Sequence, residues 1–296
     1  EKSREALLTV GNGYMGIRGA MEETTAGEYN YPGTYIAGLY NRLTTNVSNK
    51  DIINEDFVCA PNWMTITFKI DDGEWINPNN ILIDKIHRDL NLKSGLLTRV
   101  MEITDNENRQ TKIESYRVGS MSNPNIAAIK YAITPLNYQG KITISSIIDG
   151  AVINDGVKRY RELNQQHLEA VNQGGEENIS WLTVKTNQSK IEITEAAKIN
   201  LYGNNSFSSK IAKDEGIVCT YIECDAILNN KITIEKLISI VDSNNMGSNT
   251  RDTALEMLKG YASFDEIFTD SKNEWDEIWN KVDIKILGDR ISQKML

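Results

Sequence analysis

The first residues able to do chemistry are Gly11, Gly13 and Gly16, which follow the short apolar run ending at Val10. Gly-x-Gly-x-x-Gly is the spacing by which a dinucleotide-binding loop brings backbone N–H groups to a pyrophosphate. That use needs a helix opening directly after the glycines. Gly16 and Gly19 would both fall inside such a helix, each costing about 1 kcal/mol relative to Ala, and no second buried strand follows to complete the unit. Asn12-Gly13 suits instead the positive φ angles of a tight hairpin turn, with Val10 ending one strand and residues 14–18 running back. His87-Arg88-Asp89-Leu90 copies the start of a protein-kinase catalytic loop, but the metal-holding Asn five residues after the Asp is Ser94, and Asp-Phe-Gly is absent.

Other chemistry is equally thin. His87 and His167 are the only histidines, no Gly-x-Ser-x-Gly elbow supplies a nucleophile, and no His/Cys spacing suggests a metal. Cys59, Cys219 and Cys224 form no disulfide framework and read as reduced core residues of a cytoplasmic protein. The 41 carboxylates could include an acid–base pair for a glycosidic bond, but such pairs come from distant elements and spacing does not reveal them. We therefore expect no catalytic residue, no metal and no cofactor. The stretch around Tyr31, Pro32, Gly33, Thr34 and Tyr35 is rich in aromatics. Two uses fit it equally: stacking on the apolar faces of sugar rings, or packing the loop onto its sheet.

The elements that must position these residues are mostly strands. At 296 residues the chain can bury a large core. A net charge of −9 argues against nucleic acid or an anionic membrane as partner, and no apolar run reaches about 18 residues. After the opening hairpin, 24–49 reads as loop. Residues 63–70 alternate apolar with polar, and 96–104, 109–118, 126–134, 141–148, 181–186, 190–194, 216–228 and 231–241 continue as strands with turn residues between. Residues 150–180 read as a polar excursion, with a short helix near 163–171. The recurrence of short strands indicates an antiparallel sandwich or barrel. Periodicity then changes: residues 250–259 place Ala254, Leu255 and Leu258 on one helix face. Ser263-x-x-Glu266 is a capping box opening an aromatic-rich amphipathic helix. The chain lacks a starting Met and stops at the start of another apparent helix, so it reads as trimmed at both ends.

The opening Gly11-Asn12-Gly13-Tyr14-Met15-Gly16-Ile17-Arg18-Gly19, followed by Tyr31-Pro32-Gly33-Thr34-Tyr35-Ile36-Ala37-Gly38, resembles the N-terminal domain of glycoside hydrolase family 65. Pro61-Asn62-Trp63, the segment from Leu90 to Arg99, Ala127-Ala128-Ile129-Lys130-Tyr131 and residues 275–286 fit in the same order. The resemblance implies a mainly β fold: a large two-sheet antiparallel β-sandwich (a supersandwich) over 1–242, a helical linker over 243–282, and at 283–296 the start of an (α/α)6 barrel that bears the active site. In that family a barrel Glu acts as general acid while phosphate, as co-substrate, attacks the anomeric carbon with inversion. No such Glu can be carried onto this chain. The implied role is a non-catalytic domain of a cytoplasmic α-glucoside phosphorylase or hydrolase, bracing its own barrel and a homodimer. The stretch from Tyr31 to Tyr35 would lie at the rim of a site for an α-linked disaccharide. A free-standing carbohydrate-binding module, or a pure scaffold, are the alternatives.

Overall fold

The structure is a computed structural model that describes residues 1–154, 165–203, 206–284, 286–289 and 291–292. Its strands pair antiparallel throughout, in three sheets. The first has the order β1-β2-β3-β4, built from β1 (Val10–Gly11), β2 (Met15–Ile17), β3 (Thr34–Val47) and β4 (Lys50–Ala60). The second contains β5 (Ile66–Ile70), β10 (Gly140–Asp149), β14 (Phe207–Asp214) and β15 (Ile217–Ala226), in the order β14-β15-β10-β5. The third and largest uses β6 (Leu82–Asn91), β7 (Leu96–Thr104), β8 (Gln110–Gly119), β9 (Ile126–Pro135), β11 (Leu168–Glu176), β12 (Ile179–Thr186), β13 (Glu192–Tyr202) and β16 (Ile232–Asp242). It runs β11-β12-β13-β16-β9-β8-β7-β6.

Strand alternation explains how the sheets stack. On the large sheet Ile113, Ile129, Ile133, Ile234 and Ile238 point to one face and form a single core with Met15, Ile17 and Ile36 of the first sheet and Phe68, Ile144 and Ile222 of the second. The opposite face carries Val118, Ile126, Ala128, Leu237 and Val241. It is covered by Ala254 and Leu258 of α3 (Thr250–Lys259) and by Phe264 and Ile267 of α4 (Phe264–Val282). The middle of the eight-stranded sheet is thus buried on both faces, by sheets on one and helices on the other, while its edge strands β6 and β11 stay largely exposed.

The helices behave as their patterns require. Ser263 Oγ accepts from Glu266 N at 3.2 Å, and the Glu266 carboxylate reaches back to Ala262 N at 2.7 Å. Farther along α4, Trp279 Nε1 donates to Lys93 O at 3.0 Å, fixing the helix over the turn between β6 and β7. Gly95 in that turn has φ +63°, and a Cβ there would sit 2.8 Å from Trp275 Nε1.

Several expectations need correcting. The strand expected to end at Val10 is short, because Lys2–Leu7 forms the helix α1 and β1 begins only at Val10. The stretch 24–49 is loop only as far as Gly33; from Thr34 to Val47 it is β3, paired with β4 on either side of an irregularity between Tyr35 and Tyr40. The polar excursion holds no helix from Gln165 onward and becomes β11 at Leu168; the rest of that expected helix lies outside the described residues. Strands β4, β6 and β14 escaped the sequence reading because their exposed faces break the apolar alternation, as the pattern of β6 shows with no buried residue.

Candidate functional site: the glycine hairpin and the ion network beneath it

The opening glycines form a hairpin. Val10 pairs with Ile17 and Gly11 with Gly16, and Gly13 turns at φ +85°. Asn12 Oδ1 accepts from Met15 N at 2.9 Å, while its Nδ2 donates to Ser120 O at 2.7 Å and Pro124 O at 3.0 Å. The turn is therefore tied to the large sheet and presents no cradle to a phosphate. Tyr14 Oη donates to Asp242 Oδ2 at 2.7 Å, joining the two ends of the β-region. Burial first, and then the Asp242 carboxylate, push its phenol far above the ordinary range. Gly19 is where backbones meet: its N donates to Glu5 O at 2.8 Å, and a Cβ would come within 2.6 Å of Leu8 O.

The tyrosine stretch folds onto this hairpin. Glu5, fully buried, accepts from Tyr31 N at 2.8 Å and lies 3.5 Å from Arg18. Arg18 donates through Nε to Tyr31 O at 2.7 Å, and its guanidinium stands 5.3 Å from the Tyr31 ring centroid. Pro32 and Gly33 are buried, and Thr34 Oγ1 accepts from Trp63 Nε1 at 3.1 Å. Tyr35 Oη donates to Tyr31 Oη at 3.1 Å. Of the five, Tyr35 alone is half-exposed. Its ring stacks on Phe57 (5.2 Å between centroids), and Phe57 packs in turn on Tyr40. The aromatic row that reaches solvent is thus Tyr35, Phe57 and Tyr40.

Directly beneath lie residues the sequence reading passed over. Glu22 and Glu23 follow the hairpin and enter the core. Arg117 Nη2 donates to Glu22 Oε1 at 2.5 Å, and Arg99 Nη2 donates to Glu22 Oε2 and Glu23 Oε1, both at 2.7 Å. Ser115 Oγ adds a bond to Glu22 at 2.7 Å, and Tyr131 Oη donates to Glu23 at 2.5 Å. Burial alone would raise the Glu22 carboxyl, but Arg117 and Arg99 outweigh it and hold it at about 2. The side chains of both glutamates and both arginines are at most 4% exposed, so no substrate reaches them. The signal that could have found the network is parity: Arg99 and Arg117 stand at inward positions of their strands, in line with Met101 and Ile113.

Lys236 and Glu195 are two further titratable residues buried in the molecule. Lys236 Nζ donates to Ile147 O at 2.7 Å, and burial pulls its ammonium down to about 7. Glu195 is fully buried and neither carboxylate oxygen has a hydrogen-bond partner, so burial pushes its carboxyl well above the usual range. His167 is buried, with Asn41 Nδ2 donating to its Nδ1 at 3.0 Å and Asp56 3.6 Å from its Nε2. Cys59, Cys219 and Cys224 are free and buried. Among the described residues no cluster of three or more His, Cys, Asp or Glu side chains could hold a metal ion, and no helix is long and apolar enough to cross a membrane.

A large antiparallel β-sandwich with helices laid over its outer face defines the class of domain, and its glycine motif is spent on internal hydrogen bonds. The comparisons agree on the family. The model for glycosyl hydrolase family 65, N-terminal domain, matches residues 1–278, and the chain belongs to that family. An uncharacterized glycosyl hydrolase of Mycobacterium tuberculosis is 32% identical over 292 residues, which are 97% of this chain and 22% of that protein. Kojibiose phosphorylase of Thermoanaerobacter brockii is 32% identical over 305 residues, 99% of this chain and 38% of that enzyme. Among solved structures, a putative kojibiose phosphorylase from human microbiome shares the fold with a TM-score of 0.79 at 21% identity, over 93% of this chain and 36% of that one. The chain therefore spans well under half the length of these relatives.

Proposed function

We propose that this chain is the non-catalytic N-terminal β-domain of an inverting α-glucoside phosphorylase, acting on an α-linked disaccharide with phosphate as co-substrate. The observation that carries the reading is the match over residues 1–278 set against the 38% of kojibiose phosphorylase that the chain spans. The sealed glutamates of the ion network support it, because they leave no open acid–base pair in the best-marked region of the chain. In this reading residues 1–242 are the sandwich, 243–282 a helical linker, and 283–296 the approach to an (α/α)6 barrel. Val282, Ile284, Leu287 and Ile291 are 58–94% exposed, apolar side chains suited to burial against that barrel. Ile52 and Ile53, exposed on the β3–β4 hairpin, suit a homodimer contact in the same way. The free cysteines accord with a cytoplasmic setting.

The rim role, if the barrel docks beside the hairpin, falls to the Tyr35 end of the tyrosine stretch, since Tyr31 is committed to Arg18 and Glu5. The test is phosphorolysis of kojibiose, maltose and trehalose by the longer protein that contains this domain, with the 296-residue chain assayed beside it. We expect sugar phosphate from the longer protein, none from the chain alone, and a raised disaccharide KM in Tyr35→Ala. Turnover by the chain alone would overturn the reading, and unchanged kinetics in Tyr35→Ala would remove the rim role. A direct sugar-binding role is favoured by a separate observation on another face.

A further inference from the structure

The outer face of the second sheet carries a trough of about 920 Å³. Its floor follows from the strand register: Tyr221 of β15 lies beside Lys210 of β14, and the next row runs Ser208, Glu223, Thr143, Lys69 across all four strands. Over this floor lies Trp75. Its neighbour Ile76 is pinned to the edge strand β5 by two hydrogen bonds, Ile76 N to Phe68 O at 2.8 Å and Thr67 Oγ1 to Ile76 O at 2.7 Å. The indole is thereby held above the sheet, with its centroid 6.2 Å from the Tyr221 ring and 5.8 Å from Lys69 Nζ, while 40% of the residue stays in solvent.

We propose that this trough is a binding site for an uncharged, glucose-built oligosaccharide. Two aromatic rings set at 37° to each other give successive apolar faces on which pyranose rings can stack. Around them Lys69, Lys141 and Lys210 are balanced by Asp71, Asp72 and Glu223, so the trough has no net charge with which to select an ion. It offers hydrogen-bond donors and acceptors of the kind that ring hydroxyls need, and Thr143 and Ser208 add hydroxyls to its lining. The pinned indole is already ordered, so binding does not spend energy arranging it. The choice of glucose rests on the family reading above; the trough itself does not, and it lies on a different sheet from the glycine hairpin. The site would keep a glucan near the enzyme without taking part in bond cleavage.

The test is calorimetric titration of the 296-residue chain with maltoheptaose. We expect saturable binding that weakens by about tenfold or more in Trp75→Ala and in Tyr221→Ala, with Tm within the spread of the parent. Thr143→Arg, which fills the trough from a half-exposed position, should abolish binding even if an aromatic variant fails to fold. No heat with maltoheptaose would overturn the site, as would equal affinity in the parent and Thr143→Arg. Neither result depends on whether the longer protein phosphorolyses a disaccharide.

Discussion

The most consequential residue here is Glu22. It accepts from Arg99, Arg117 and Ser115 while almost wholly buried. Removing one member of such a network leaves the others charged and unpaired, at a cost of about 3–5 kcal/mol. Glu22→Gln should therefore lower Tm by on the order of 10 °C, as read by calorimetry at neutral pH; a change within error would show that the arginines find other partners. The pH dependence has a definite sign. The folded carboxyl sits at about 2 against an ordinary 4.5, so its stabilisation is fully present above 4.5 and is lost as pH falls toward 2. The variant should lack that acid limb. Glu195 and Lys236 differ in kind, since each is held toward its neutral form by burial.

At the scale of elements, the turn between β6 and β7 and the helix α4 act as one unit. Gly95 has both a left-handed φ and an indole against its missing Cβ, so Gly95→Ala must strain the backbone and displace Trp275. We expect a loss of about 1–3 kcal/mol with a shift in tryptophan emission; emission and Tm both unchanged would dismiss the contact. The same elements show how much was legible in the sequence. Residues 250–259 and the Ser263 cap were readable because helix periodicity and capping are local. The Asn12-Gly13 turn was readable because few residues tolerate that geometry. Helix α1 was not, since six residues have little intrinsic helicity and it stands on tertiary bonds through Glu5 and Gly19. The ion network was hidden because arginine on a strand reads as solvent-facing until its parity is compared with its neighbours. The trough was hidden because Trp75 and Tyr221 are far apart in sequence and meet only across β10.

At the scale of the molecule, the two cores make a prediction about dissection. Val118, Ile126, Ala128, Leu237 and Val241 depend on α3 and α4 for cover. Deleting residues 250–296, which removes both helices, should expose that face, lower Tm by more than any single substitution above, and give binding of a hydrophobic dye. A truncated chain as stable and dye-silent as the parent would mean that the helices are ornaments on a self-sufficient sandwich.

The seam between β9 and β16 has a temporal side. The ladder runs from Ile133 beside Ile232 to Ile126 beside Ser239, and the phenol of Tyr14 waits for Asp242. A nascent chain leaving the ribosome thus makes its central strand last: the other seven strands of that sheet, β6–β9 and β11–β13, can pair only with sequence neighbours until residues 232–242 emerge and lock between β9 and β13. Closure over so long a stretch of polypeptide is entropically slow. Synthesis, rather than equilibrium stability, is then the stage at which this domain is most open to misassembly.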